Sequence, residues 1–112
     1  MKAHKTEITI KTRDGDKKVS CLAFKHWAFH KTYEYAEVWE IAENWKNDDY
    51  TITHIASGKA FPFHYLPLQK KARILAEMLE SMFVQWDGKG EPSKKFEAGC
   101  LKVKNKFVSD IA

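Results

Sequence analysis

Five histidines, two cysteines and a run of glutamates are the groups in this chain with chemistry to offer. His26 and His30 stand four residues apart, which puts them on one face of either a strand or a helix. Neutral imidazoles drawn from several elements can ligate zinc, and His54 and His64 enlarge the pool. The chain lacks the His-Glu-x-x-His and paired Cys-x-x-Cys spacings that mark such sites, so no metal site is assigned. His54 is the histidine to watch, because a strand would set it on one face with Tyr50 and Ile52. A buried imidazole needs a partner for each ring nitrogen withheld from water. A partner in the Ser57-Gly58 turn would make His54 structural; an open cleft beside it would make it a general base. No nucleophile is paired with it by motif, which favours the structural reading.

The nucleophiles themselves are thin. Cys21 lies in a stretch apolar on both faces, where burial raises a thiol pKa and lowers reactivity. Cys100 falls on the packed side of a helix. The two read as buried thiols, not as a disulfide framework. Ser57 precedes Gly58, but the Gly-x-Ser-x-Gly elbow is absent. Gly88 and Gly90 lack the downstream Lys-Ser/Thr of a phosphate loop. Glu34, Glu37, Glu40 and Glu43 recur at every third residue, the mark of a wet edge more than of an acid–base pair. No catalytic residue and no cofactor is assigned.

These groups must be positioned by a small scaffold. At 112 residues the chain is one domain, 1–112, long enough to bury a core without staples. No apolar run approaches the roughly 18 residues of a membrane span, and residues 1–5 lack the apolar stretch of a secretory signal. A cytoplasmic protein is expected. The net charge of +4 comes almost wholly from lysine, Arg13 and Arg73 being the two arginines. Arginine is the residue that reads guanine and clamps phosphate bidentately, so a sequence-specific DNA reader is disfavoured.

Residues 4–13 alternate, with Thr6, Ile8, Ile10 and Thr12 on one side, as a half-buried strand does. Asp14-Gly15 signals a hairpin into a second strand from about residue 17. Residues 26–35 read as the end of that strand and a connection. Residues 36–43 read as a third strand, with helix as the alternative, since Tyr35, Val38, Trp39, Ala42 and Trp45 also fit a helical stripe. The polar turn at 46–49 then leads into a strand over 50–55. A helix is expected from about residue 66 to 85, with Leu68, Ala72, Leu75, Leu79, Met82, Phe83 and Trp86 as its core stripe. Residues 87–92 break it, and Ser93 caps a last helix. The fold class is α+β: an antiparallel sheet of about four strands with two C-terminal helices packed on one face.

Aromatics crowd the middle of the chain. Trp27, Phe29, Tyr33, Tyr35, Trp39 and Trp45 stand among Lys25, Lys31 and Lys46 and four glutamates. Bases stack on such rings over a positive sheet. The glutamates would repel phosphate, and exposed rings with mixed charge suit a protein interface better. These six are the candidate partner-binding residues.

The segment 50–58, aromatic-x-aliphatic-Thr-His-aliphatic-x-Ser-Gly, followed by Lys71-Ala72 and Leu75-Ala76, resembles small phage and mobile-element accessory proteins. Some of that kind inhibit host defence, including anti-CRISPR proteins. The resemblance covers about a third of the chain and implies a context without assigning a site. The expectation is a non-enzymatic protein that occludes a host protein, with a CRISPR effector as the implied target and a homodimer allowed. The alternative is a nucleic-acid-binding module using lysines and sheet aromatics. The third reading is a small metal enzyme built on the histidines.

Overall fold

The computed structural model describes residues 1–32, 50–61, 66 and 68–111. Five antiparallel strands run in simple meander order: β1 (His4–Thr12), β2 (Gly15–Ala23), β3 (Trp27–Lys31), β4 (Tyr50–His54) and β5 (Lys59–Ala60). Two helices come after them, α1 (Gln69–Ser81) and α2 (Lys94–Asp110). The α+β class and the antiparallel sheet are as expected. The reading of residues 36–43 and of the 46–49 turn lies outside the described residues.

The β1–β2 hairpin pairs Ile8 with Val19 and Thr12 with Gly15. Its two-residue loop is therefore Arg13-Asp14, one position earlier than expected, and Gly15 opens β2 at φ +109°. Thr12 Oγ1 seals the loop by donating to the Gly15 carbonyl at 2.6 Å and accepting from the Asp14 amide at 3.2 Å. Residues 27–31, expected to be the tail of the second strand and a connection, form a strand of their own. β3 pairs with β2 through Leu22 and Phe29, and with β4 through Phe29 and Ile52. The reversal between β2 and β3 is tight, with the Phe24 amide bonded to the Trp27 carbonyl at 2.9 Å.

Register fixes two faces, because side chains alternate along each strand. Phe24, Trp27, Phe29, Ile52 and Phe61 face the helices and form one core with Ala72, Leu75, Leu79, Phe96, Val103 and Phe107. α1 lies across β3 and β4, and α2 packs along α1. The opposite face carries Ile8, Ile10, Val19, Cys21, Ala23 and Ala28, all buried. That face is closed by curling. The β4–β5 turn swings back to β1, where the Gly58 carbonyl accepts from the Lys11 amide at 2.8 Å. A Cβ on Gly58 would stand 2.9 Å from the Thr9 carbonyl oxygen, so only glycine allows the approach.

α2 begins as its sequence requires, with Ser93 Oγ accepting from the Phe96 amide at 3.1 Å. α1 ends four residues sooner than expected. The Phe83 amide bonds to the Glu80 carbonyl at 3.1 Å and the Val84 amide to the Leu79 carbonyl at 3.1 Å, the paired bonds of a Schellman closure. Phe83 occupies the left-handed position at φ +55° that glycine usually fills, at a cost of about 1 kcal/mol. Expected in the core stripe, Phe83 is 79% exposed, and Leu68 is 56% exposed. The stripe fails at both ends because its arithmetic runs past the helix: Leu68 is the extended residue before the first turn, and Phe83 lies beyond the last.

Glu80 ties α1 to the sheet. Its carboxylate accepts from the main-chain amides of His26 and Trp27, the latter at 3.0 Å, and from His26 Nδ1 at 3.0 Å. Hydrogen bonds to a charged acceptor are worth about 1.5–3 kcal/mol each, and losing the acceptor strands buried donors. Glu80→Ala is expected to destabilise the fold by about 3 kcal/mol in urea titration. A loss under about 0.5 kcal/mol would show that water replaces the carboxylate freely.

Candidate functional site

His54 ends β4 and is fully buried, with Ser57 three residues later in the turn. The Ser57 amide donates to His54 Nδ1 at 3.3 Å, and Ser57 Oγ lies 2.9 Å from the same nitrogen. An amide can only donate, so Nδ1 is the acceptor and Nε2 carries the proton. Ser57 Oγ also accepts from the Lys59 amide at 3.2 Å, and the Gly58 amide closes on the His54 carbonyl at 2.8 Å. The serine and histidine together fold the turn.

Three aromatic rings enclose the imidazole. Trp86 stacks on it at 5.3 Å and 14°, while Trp27 at 5.1 Å and Phe96 at 5.3 Å meet it edge-on. Each ring arrives from a different element. Trp27 stands opposite His54 across the β3–β4 ladder, and its indole Nε1 donates to the Val84 carbonyl at 2.9 Å. Phe96 comes from the first turn of α2. Trp86 comes from the loop between the helices, where Gly88 at φ +82° lets that loop press on the β4–β5 turn. A Cβ on Gly88 would lie 2.6 Å from the Ala56 carbonyl carbon.

Within this box His54 Nε2 has no partner in hydrogen-bonding geometry among the described residues. Burial lowers the His54 pKa to about 4, with the nearby Trp86 main chain and Glu80 opposing the shift and His26 assisting it. A general base needs a lone pair that a substrate can reach. The lone pair of His54 is already committed to the turn. Its serine neighbour, though close enough to be activated, is itself buried with its oxygen engaged.

The other candidates are also held. His30 is buried on the opposite face, its Nδ1 donating to the Lys31 carbonyl at 2.7 Å and its Nε2 lying 2.7 Å from Thr53 Oγ1. Burial lowers its pKa, and the Lys31 carbonyl acts against the shift. His26 is paired with the Glu80 carboxylate. Thus His26 and His30, four apart in sequence, serve different partners. Cys21 and Cys100 are buried in the cores on opposite sides of the sheet, and burial pushes the Cys21 thiol up. Among the described residues no three His, Cys, Asp or Glu side chains converge to hold a metal ion. His64 and the glutamates from 34 to 43 lie outside the described residues.

The expected contact surface needs correction. Trp27 is 0% and Phe29 1% exposed, so both are core residues and cannot meet a partner in the folded chain. β3 faces helices on one side and the curled sheet on the other, which is why its rings turn inward. Tyr33, Tyr35, Trp39 and Trp45 lie outside the described residues. Sequence reasoning missed Glu80 and the true place of Trp86. A lone glutamate in a helix carries no signal, and Trp86 fits a helical stripe by spacing while belonging to a loop.

No protein-family model, curated protein or solved structure matches the chain.

Protonation tests the box directly. Folded, His54 resists its proton down to about 4; unfolded, it takes one near its ordinary 6.5. Between those values the unfolded chain binds more protons, so stability falls as pH drops from 6.5 towards 4. The contribution at full depth is about 3 kcal/mol, and His30 adds loss of the same sign. Urea titrations across that window should show the slope, and His54→Phe should flatten most of it. An unchanged slope in the variant would assign the effect to other groups.

Proposed function

We propose that this chain is a binding protein with no catalytic activity, acting by covering a surface on another macromolecule. The observation that carries this is the fate of its reactive groups. Among the described residues, His26, His30, His54, Ser57 and Glu80 are all bonded within the fold, and both thiols are buried. A site for turnover needs polar groups converging on a space that substrate can enter. Around His54 that space is filled by indole and phenyl rings.

The resemblance of residues 50–76 to phage and mobile-element accessory proteins supplies the setting. In that setting the partner is a host defence protein, with a CRISPR effector as the implied example, and the location is cytoplasmic. No helix among the described residues is long and apolar enough to cross a membrane. A domain of this size can offer the roughly 800 Å² per partner of a standard interface.

Affinity capture from host lysate, with and without nuclease, separates the readings. A single host protein retained after nuclease treatment is the expected result. A partner lost on digestion would instead favour nucleic acid, and steep salt dependence of single-strand binding would support that outcome.

A further inference from the structure

The end of α1 carries a feature that the fold does not ask for. The Schellman closure wants glycine at position 83, and this chain has phenylalanine there, in the left-handed region and 79% exposed. An aromatic ring at that point strains the backbone and returns little burial. The closure itself is secured by Val84, which packs into the core beside Leu79.

Phe83 borders a concave surface between the end of α1 and the first half of α2. Its volume is about 560 Å³, and Met82, Val84, Ala98, Lys95 and Lys102 line it along with Phe83. Gly99 lets α2 seat against Val84, whose methyl a Cβ would meet at 3.3 Å. The charged residues lining it are Lys95 and Lys102, with no carboxylate among the described residues of the lining. α2 as a whole carries five lysines against Glu97 and Asp110.

We infer that this groove docks an acidic amphipathic segment of a partner protein. An apolar side chain of the segment sits against Phe83 and Val84, and its carboxylates meet Lys95 and Lys102. The inference deepens the binding-protein reading and rests on it. A peptide is favoured over nucleic acid because the exposed Phe83 and Met82 side chains offer apolar contact and the lining has no arginine. Arg73 is occupied elsewhere, donating to the Met1 carbonyl at 2.9 Å. Strain retained at an exposed aromatic ring is what a contact residue shows.

The test titrates the isotope-labelled full chain with a synthetic helical peptide bearing leucine at every third and fourth position and glutamate between. Saturable amide shifts confined to residues 82–85 and 93–102 are expected. Phe83→Gly should weaken binding at least tenfold while holding or raising the urea midpoint, since glycine suits the backbone there. A core residue would behave in the opposite way, losing stability. Lys95→Glu with Lys102→Glu should transfer binding to a peptide with lysine in place of glutamate. The proposal is overturned by shifts elsewhere, by equal binding of both peptides to the unaltered chain, or by stronger competition from a single-stranded oligonucleotide. Concentration-dependent shifts at this face without peptide would also overturn it, by making the occupant a second copy of the chain. Lysate capture keeps the two ideas apart. A host protein held equally by the unaltered chain and by Phe83→Gly sinks the groove but leaves the binding reading. A groove that binds the acidic peptide in a chain that captures no host protein sinks the binding reading instead.

Discussion

The central strands are shut off from water on both faces, and that exclusion governs the rest of the molecule. Helices cover one side of β3 and β4, and the curled sheet closes the other. Polar groups on those strands must then be satisfied from within. His30 is served by Thr53 and the Lys31 carbonyl, Thr32 meets Thr51 at 2.7 Å, and the β2–β3 turn is held by a carboxylate delivered from α1. His54 is the partial exception, with one nitrogen bonded and the other enclosed by rings. It stays neutral because the surroundings leave a charged imidazole nowhere to be solvated.

The same exclusion decides which elements are legible in the sequence. Period-two alternation identifies β1, since only one pattern of residues 4–12 puts Ile8 and Ile10 inside. β4 is legible from Tyr50 to His54, and Ser93 marks the start of α2 through its own side-chain oxygen. β3 escapes notice because all of Trp27 to His30 is buried, and a short run buried on both faces has no alternation to detect. The end of α1 is hidden because its closing residue is phenylalanine, where the usual stop signal is glycine or proline. Burial is misjudged in both directions for one reason. Ring content says that a residue seeks contact, but not whether the contact is internal, as for Trp27 and Phe29, or left open, as for Phe83.

Among the described residues, His54 and Ser57 are taken up by the turn they form. A histidine beside a serine looks like the start of a catalytic pair, and a turn-fixing role is the simpler alternative. Geometry favours the turn: one serine oxygen and one amide secure the imidazole, while aromatic rings fill the volume a substrate would need. Among the described residues, α2 on the helical side is rich in lysine.

Gly58 has a consequence beyond geometry. By seating its carbonyl on the Lys11 amide, it interrupts the row of open donors and acceptors along the outer side of β1. The lysines at 5 and 11 add charge to the same rim. An incoming extended chain finds no straight, neutral ladder to extend, and this is how sheet proteins avoid templating fibrils. Replacing that glycine would threaten colloidal behaviour as well as folding.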